Sequence, residues 1–290
     1  MSIDVLHMSD PACPWAYSAS PALAVLRWRF GDQLAWRLSM IGLSESADAY
    51  AARGYTATRQ AAGRLSFRRF GMPFGLDVRE RMQATGRACR AVVATRLAHP
   101  GRELAVFRAL QWGHMTTTLL MDTDEGIAAA IADVPGIDAA AVVAALDSPE
   151  VSEAYEADRA RARSAAGSPC EAMGRTATSD GQVRYTAPSL VFTAPDGRTL
   201  DAGGFQPLEV YDAALANLDP TLARRDEPSD PVEALADFPD GLTTAEVTAL
   251  MTPRNSAPDR TAAERALIEA VGAGRATRRA LGDDALWLAA

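Results

Sequence analysis

A single cysteine between a strand pattern and a helix pattern constrains this chain more than any other feature. Residues 3–8 have the composition of a strand, and the run Asp-Pro-Ala-Cys-Pro-Trp-Ala-Tyr follows at 10–17, where a helical pattern begins. Cys13 should therefore lie at the first turn of a helix, where unpaired backbone N–H groups and the helix dipole favour a thiolate. Pro14 suits the first helical position because its missing N–H costs nothing there. We therefore predict that Cys13 is a nucleophile with a lowered pKa.

The residue three positions after this cysteine is Ala16. A redox Cys-x-x-Cys motif would place its second cysteine there. Cys13 therefore has no neighbour with which to close an internal disulfide at this motif. It is expected to attack a small disulfide or an electrophile, giving an adduct that a second thiol resolves. The alternative is a buried cysteine in a fold that has lost its chemistry, because free cysteines are often buried.

Two segments carry a resemblance to a known family. Cys13-Pro14-Trp15, preceded by Asp10-Pro11, resembles the active-site segment of the DsbA-like branch of the thioredoxin superfamily. That branch includes cytosolic dithiol oxidoreductases, hydroxychromene-carboxylate isomerases and kappa-class glutathione transferases. Residues 186–192, Thr-Ala-Pro-Ser-Leu-Val-Phe, resemble the loop and strand in which the family has a cis proline facing the cysteine. The resemblance extends over roughly residues 1–220 and implies an α/β thioredoxin fold with an all-helical insertion.

The resemblance also implies the residues of the site. Cys13 would be catalytic, a cis bond at Pro188 would free backbone groups of Ala187 to pair with a substrate or a thiol, and no metal site is expected. His114 has an alternative interpretation, because a histidine on an apolar helix face is more often structural than catalytic. Trp15 and Tyr17 have the corresponding alternative of packing into the fold. The residues with an implied substrate-binding role are Pro14, Trp15, Tyr17, Trp112, His114, Ala187 and Pro188.

The remaining patterns divide the chain into five parts. A single helix is expected from Pro14 to about Phe30, and a strand follows at 34–40. The pattern is helical from about 76 to 166, and Asp196-Gly197 indicates the turn of a hairpin. The predicted parts are the first half of the thioredoxin fold at 1–43, a helical insertion at 44–180, the second half of the fold at 181–219, a polar linker at 220–231 and a C-terminal module at 232–290.

The C-terminal module resembles a winged-helix domain. Capping boxes are expected at Thr243–Glu246 and Thr261–Glu264, each opening a helix, and strands at 277–281 and 285–288 suggest a hairpin. Residues 230–290 carry ten acidic residues and six arginines, which leaves a net charge of −4. Such a surface is a poor match for nucleic acid. We expect the module to pack against the thioredoxin domain or to form an oligomer contact, for example in a homodimer.

The other two cysteines have different surroundings. Cys89 belongs to an apolar stripe and is expected in the core, whereas Cys170 lies in loop-like sequence before the proline segment. Cys170 is either the thiol that resolves an adduct on Cys13 or an incidental loop thiol. The first interpretation predicts a Cys13–Cys170 crosslink in oxidised protein. Three dispersed cysteines provide neither a disulfide framework nor metal-ligand spacing.

Composition narrows the class of protein. The chain has 48% hydrophobic and 23% charged residues, a net charge of −8 and no apolar stretch long enough to span a bilayer. This favours a soluble globular protein that binds neither nucleic acid nor an anionic membrane. The first residues enter a strand directly, without the regions of a signal peptide, so a cytoplasmic location is expected.

These observations predict a function and leave two alternatives. The first prediction is a cytosolic DsbA-like thiol oxidoreductase that uses Cys13 and a low-molecular-weight thiol, glutathione or mycothiol, without a tightly bound cofactor. Its partners would be a small thiol and a small disulfide or electrophilic substrate. One alternative is a kappa-like thiol transferase or isomerase. The other is a catalytically silent thioredoxin-fold binding protein.

Overall fold

The cysteine motif lies in the first β–α–β unit of a mixed sheet. A computed structural model of the chain describes residues 2–178 and 180–290. The unit consists of β1 (Ile3–Ser9), α1 (Pro14–Ser18), α2 (Ser20–Phe30) and β2 (Leu34–Met40), and the two strands pair in parallel. The single helix predicted from Pro14 to Phe30 is wrong, because the chain breaks at Ala19. Pro21 gives the physical reason: inside a continuous helix its ring would clash with the carbonyl four residues earlier.

Helices dominate the segment between the two halves of the sheet. Its core comes mainly from α5 (Gly86–Ala98) and α6 (Glu103–Thr116), which pack on each other, and α5 also packs on β2. A short hairpin closes the segment, a feature that the sequence did not reveal. The elements are α3 (Ala47–Ala52), α4 (Ala57–Phe67), α5 (Gly86–Ala98), α6 (Glu103–Thr116), α7 (Asp124–Ile131), α8 (Ala139–Ala144), α9 (Pro149–Ala162), α10 (Pro169–Ala172), β3 (Thr176–Thr178) and β4 (Val183–Tyr185).

The prediction of a helical pattern from residue 76 onward is wrong for its first ten residues. Residues 76–85 form neither helix nor strand, and Val78 is exposed. The guanidinium of Arg79 donates hydrogen bonds to the carbonyls of Thr117 (3.0 Å) and Leu119 (3.1 Å) at the end of α6. These tertiary hydrogen bonds hold residues 76–85 against the end of α6. The local pattern of apolar residues does not indicate them.

The second half of the sheet contains the proline segment. The strands β5 (Ser189–Thr193) and β6 (Thr199–Gly203) form the predicted hairpin, and α11 (Leu208–Leu218) follows. At its turn, Asp196 accepts the Arg198 N–H, and Gly197 has a φ of +87° that suits glycine. The sheet order is β2–β1–β5–β6, with β5 antiparallel to β1. This order and direction place the start of β5 next to the end of β1, where Cys13 lies.

The C-terminal module has its own small sheet. Its elements are α12 (Pro231–Asp237), β7 (Leu242–Thr243), α13 (Thr244–Met251), α14 (Arg260–Gly272), β8 (Ala276–Leu281) and β9 (Asp284–Ala289). The antiparallel order β7–β9–β8 is compatible with the predicted winged-helix-like arrangement. The capping box of Thr243 and Glu246 is present, whereas the one at Thr261 is wrong. Asp259 caps α14 instead, because its carboxylate accepts the Ala262 N–H at 2.9 Å.

The C-terminal module shares an apolar cluster with α2. Ala24, Val25 and Trp28 of this helix pack with Leu242, Val247, Trp287 and other buried residues of the module. The opposite face of α2 packs on the sheet, so the helix is covered on both sides. The predicted linker also runs along α2, where the Trp28 Nε1–H donates to the Asp226 carbonyl at 2.8 Å.

No helix within residues 2–178 and 180–290 combines the length with the apolar composition that crossing a bilayer requires.

Candidate functional site

Cys13 lies where the sequence placed it, at the start of a helix. It is the N-cap of α1, its backbone is extended with φ −83° and ψ 114°, and Pro14 occupies the first helical position. The Cys13 N–H donates to the Asp10 carbonyl at 3.1 Å, which makes a tight turn after β1. The side chain is buried, with 7% of its surface exposed. The turn after β1 therefore places the thiol at the N-terminus of α1, and the thiol lies beneath the molecular surface.

A buried carboxylate fixes the loop that carries this thiol. Oδ1 of Asp10 accepts the Ala12 N–H at 2.8 Å. Oδ2 accepts the Leu43 N–H at 2.8 Å and the Thr85 hydroxyl at 2.9 Å. The Cys89 thiol donates to the same oxygen at 3.5 Å. Sequence reasoning used Asp10 only as part of the resemblance and missed this structural role, for which its place directly after a buried strand was the available signal.

The thiol faces the predicted proline segment. Cys13 Sγ donates to the carbonyl of Ala187 at 3.2 Å, and the Ala187–Pro188 peptide bond is cis. Ala187 is buried and belongs to the same apolar cluster as Cys13 and Ala16. Residues 174 positions apart in the chain therefore meet at the sulfur.

The expectation of a lowered thiol pKa is wrong for this structure. Burial raises the pKa of Cys13 to about 11. The backbone N–H groups of Ala16 and Trp15 and the guanidinium of Arg184 lower it, whereas the Asp10 carboxylate raises it further. The helix N-terminus acts in the predicted direction, but desolvation of the charged form is the larger effect. The thiol is therefore protonated at neutral pH and serves as a hydrogen-bond donor.

Neither of the other cysteines lies in the Cys13–Ala187 contact. All three thiols are free, and Cys89 is buried in the helical core, as expected. Cys170 was expected in a loop, but it lies in the short helix α10 and is fully buried. Burial, with Asp201 beside the thiol, raises its pKa to about 12. The crosslink between Cys13 and Cys170 stays a prediction.

Trp15 forms part of an aromatic cluster next to the thiol. Trp15 is 41% exposed, and its ring lies 4.9 Å from Phe67, 5.5 Å from Phe205 and 5.8 Å from Phe70 between ring centroids. Two of these partners come from the helical insertion and one from the turn after β6. The exposed edge of Trp15 is therefore available to a molecule beside Cys13.

Tyr17 does not line this surface. It is almost completely buried, and its hydroxyl donates to the Pro73 carbonyl at 2.9 Å. The expected substrate-binding role of Tyr17 is therefore wrong in this structure, and its alternative of packing into the fold holds. The α1 turn directs residues 15 and 17 to different sides of the helix, which sequence proximity to Cys13 does not reveal.

Trp112 and His114 lie at different places although both belong to α6. Trp112 is buried in the helical core beneath the Arg108 guanidinium and does not line the cavity next to Cys13, so its expected role is wrong. His114 does line that cavity, with only 2% of its surface exposed. Burial, together with Arg79 and Arg64, holds the pKa of His114 well below its usual range. The ring is therefore neutral.

A cavity of about 560 Å³ lies next to the Cys13 motif and has a basic, aromatic lining that includes Ala12, Pro14 and Trp15 but not Cys13 itself. Its floor includes Pro14 and Trp15 of α1, and its walls come from α3, α4 and α6. Arg53 and Arg59 project from the insertion, and no acidic side chain lines this cavity in the described part of the chain. Such a lining suits a small anionic molecule. The residues that give the wall its charge and rings are Tyr50, Arg53, Tyr55, Arg59 and Phe67.

Comparison with known proteins agrees with this geometry. Residues 5–187 match the model of the DSBA-like thioredoxin domain family. A probable DsbA oxidoreductase, SCO1869 from Streptomyces coelicolor, is 19% identical, covers 76% of this chain and 91% of its own, and has a TM-score of 0.55. The cytosolic disulfide reductase DsbM from Pseudomonas aeruginosa is also 19% identical, covering 76% of this chain and 98% of its own, with a TM-score of 0.51. No curated protein matches the chain.

At these identities the solved structures show likeness of fold. The family model spans most of the chain, from β1 through the Cys13 motif and the insertion to Ala187 of the proline segment. The chain belongs to the DSBA-like thioredoxin domain family.

Proposed function

We propose that this protein is a thiol–disulfide oxidoreductase that acts through the single thiol of Cys13, with glutathione or mycothiol as co-substrate. The observation that carries the proposal is the 3.2 Å contact between Cys13 Sγ and the Ala187 carbonyl, at a helix N-terminus and beside a cis proline. Family membership supports the same chemistry. We place the reaction in the cytoplasm, where low-molecular-weight thiols are kept reduced.

The presence of Ala16 requires a cycle with one protein sulfur. The Cys13 thiol first loses its proton to solvent, and the thiolate so formed attacks one sulfur of a small disulfide, giving a mixed disulfide and releasing the other sulfur as a thiolate that takes up a proton. A second thiol then attacks the mixed disulfide, which frees Cys13 and forms a new disulfide. The protein sulfur ends in its starting state, so the small molecules carry the net exchange of electrons.

The cavity beside Cys13 supports a low-molecular-weight thiol as the partner. Glutathione carries carboxylates, and Arg53 and Arg59 present guanidinium groups that bind carboxylates well. Arg59 is held by a hydrogen bond to the Gly54 carbonyl at 2.9 Å, and Arg53 lies over the Tyr50 ring. DsbM from Pseudomonas aeruginosa has been solved with GSH, which supports the same ligand class for this related fold.

The raised pKa of Cys13 supports a second candidate, a thiol transferase or isomerase. A protonated thiol donates a hydrogen bond, as Cys13 does to Ala187. In this role Cys13 would donate to the thiolate of a bound low-molecular-weight thiol and stabilise it, and that thiolate would attack an electrophile. The bound thiol, not Cys13, would then be the nucleophile.

Replacement of Cys13 by serine and by alanine separates the two candidates. A nucleophilic role predicts that wild-type protein forms a mixed disulfide with oxidised glutathione, measured by intact mass, and that both Cys13→Ser and Cys13→Ala lose it. Hydrogen-bond donation predicts that Cys13→Ser keeps most of the conjugation of glutathione to a chloronitrobenzene electrophile, because a hydroxyl also donates. Cys13→Ala would lose that conjugation, typically by about tenfold or more.

Cys170→Ser is the control for the one-sulfur cycle, in which a low-molecular-weight thiol and not Cys170 resolves the adduct, because Cys170 is buried outside the Cys13–Ala187 contact. It should leave both the mixed disulfide and the conjugation rate close to those of wild type. Should the wild-type protein form no adduct with oxidised glutathione or oxidised mycothiol, and conjugate no electrophile, the enzymatic proposals fail and a binding role replaces them.

A further inference from the structure

A second cavity, of about 340 Å³, is lined by Ala16 of α1 and by residues of α2, and neither Cys13 nor Ala187 belongs to its lining. It is enclosed by α2, by α6 and by the segment 237–241 that joins α12 to β7 in the C-terminal module. Asp237 and Pro239 in that segment are exposed, so the cavity meets solvent there. Its size is at the lower end of small-molecule sites. The apolar residues that line it include Leu23, Ala24, Leu104, Phe107 and Phe238.

Two buried polar side chains line this cavity with unpaired polar atoms. Among the described residues, neither ring nitrogen of His7 has a hydrogen-bond partner, and the Gln111 Nε2 group has none either. His7 is 2% exposed and Gln111 is 3% exposed. Buried polar atoms are nearly always paired, so groups left unpaired beside a cavity point to a ligand that pairs them. Burial and the nearby Arg27 lower the pKa of His7 to about 3, so its neutral ring offers one donor and one acceptor.

The same cavity contains one positive charge without a counter-ion. Arg27 lines the wall and stacks at 4.1 Å on Trp36, and no carboxylate in residues 2–178 and 180–290 forms an ion pair with it. Burial and Arg108 lower the pKa of Arg27 to about 9, and the group remains charged at neutral pH. Arg108, the other cation of the wall, is neutralised by Glu246 through two contacts of 2.5 and 3.1 Å. A partly buried guanidinium without a counter-ion is costly.

The acidic residues at the mouth of the cavity do not neutralise Arg27. Asp240 pairs with Arg102 at 3.0 Å, and Asp237 pairs with Arg225. Both carboxylates are therefore held by arginines outside the cavity lining. Arg27 is therefore the one guanidinium of this lining without an ion-pair partner among the described residues.

We infer that this cavity binds a small organic monocarboxylate. Its carboxylate would neutralise Arg27, with His7 and Gln111 supplying hydrogen bonds, and its aliphatic or aromatic body would contact the apolar wall of Leu23 and Phe107. A guanidinium binds a carboxylate with two parallel hydrogen bonds, which fixes orientation as well as charge. One unpaired cation matches one negative charge. A phosphate dianion would exceed it.

This site is independent of the proposed thiol chemistry. Its lining shares no residue with the cavity next to the Cys13 motif. Loss of thiol activity in a Cys13→Ala variant should therefore leave carboxylate binding unchanged. The C-terminal module has a role in this site, because its segment 237–241 forms one wall.

Calorimetric titration with benzoate tests the inference. Benzoate should bind the wild-type protein, and benzamide, which has the same shape without the charge, should bind at least about tenfold more weakly. Arg27→Gln should weaken benzoate binding by a similar factor. Arg37→Gln is the matched control, because Arg37 is exposed on β2 and does not line the cavity; it should bind like wild type.

A second variant guards against misfolding of the first. Gln111→Leu keeps the size of the side chain and removes the unpaired donor, and it should also weaken benzoate binding. The inference is overturned if benzoate does not bind wild type at millimolar concentration, or if the folded Arg27→Gln and Gln111→Leu variants bind it as tightly as wild type. Tighter binding of phenyl phosphate than of benzoate would overturn the choice of a monocarboxylate.

Discussion

At the scale of single residues, Asp10 shows how one carboxylate both builds and restrains the site. It accepts hydrogen bonds from the Ala12 and Leu43 N–H groups and from the Thr85 hydroxyl, so the loop before Cys13 has one conformation. Its negative charge also raises the pKa of Cys13, which burial has already raised. Precise placement of the thiol is therefore obtained together with a weaker tendency to ionise.

Asp10→Asn tests this dual role. The variant should be less stable by about 1–3 kcal/mol, because an amide nitrogen cannot accept the hydrogen bonds that a carboxylate oxygen accepts. The pKa of Cys13 should fall below its wild-type value, because the negative charge is lost. The pH dependence of iodoacetamide alkylation at Cys13, measured by peptide mass spectrometry, reports this pKa. Asp4→Asn, an exposed change on the same strand, should alter neither quantity. An unchanged or higher pKa in Asp10→Asn would contradict the argument.

At the scale of elements, α13 joins the C-terminal module to the rest of the chain through one buried carboxylate. The Glu246 carboxylate accepts hydrogen bonds from the Arg108 guanidinium of α6, the Ser20 hydroxyl of α2 and the Thr243 N–H of its own capping box. Burial by itself would raise the pKa of Glu246, but Arg108 and these hydrogen bonds hold it below the usual value. Three helices from three parts of the chain therefore meet at this group.

The lowered pKa of Glu246 predicts a pH dependence of stability. A carboxyl whose pKa is lower in the folded state stabilises the fold above its unfolded pKa of about 4.5, and this contribution disappears as the pH falls through the folded pKa. The Glu246→Gln variant should have a free energy of unfolding about 3–5 kcal/mol lower than wild type at pH 7, because Arg108 is left buried without its partner. The difference between the variant and wild type in the free energy of unfolding, measured with denaturant, should become smaller in acid. Glu269→Gln, an exposed change on α14, is the control; a difference that is independent of pH would refute the argument.

At the scale of the whole molecule, the C-terminal module and the thioredoxin part share α2. Ala24, Val25 and Trp28 belong to the cluster of the module, whereas Leu23 and Leu26 of the same helix pack on the sheet. The linker adds a contact in which the Arg225 guanidinium lies 3.2 Å from the centre of the Trp28 ring. Loss of the module would expose one whole face of α2, so we expect the two parts to unfold together.

Trp287→Ala tests this cooperativity. Trp287 is 1% exposed in β9, and its truncation should lower the free energy of unfolding by about 3–5 kcal/mol. Differential scanning calorimetry should show one transition at a lower Tm than wild type. Ile268→Ala, an exposed change on α14, should leave the Tm nearly unchanged. A new low-temperature transition, with the remainder of the chain unfolding as before, would show that the module folds independently.

The sequence contained enough local information for most elements and for the centre of the site. The pattern at 34–40 predicted β2 with its observed ends, and Asp196-Gly197 predicted its hairpin. The position of Cys13 and the proline segment were predicted as well. The predictions were wrong where a distant group determines the local structure. Arg79 holds residues 76–85 against the end of α6, and the Tyr17 hydroxyl donates to the Pro73 carbonyl.

The sequence by itself determined the strand, helix and hairpin patterns around Cys13, because these patterns are local, and its resemblance to a known family implied that the Ala187–Pro188 segment faces the thiol. Only the tertiary structure decided the protonation of that thiol, since desolvation depends on what covers Cys13 and not on its neighbours in the chain. The cavity at Arg27 likewise arises from three distant segments. The burial of a group and the charges near it depend on residues that are distant in the chain, so a short stretch of sequence cannot determine them.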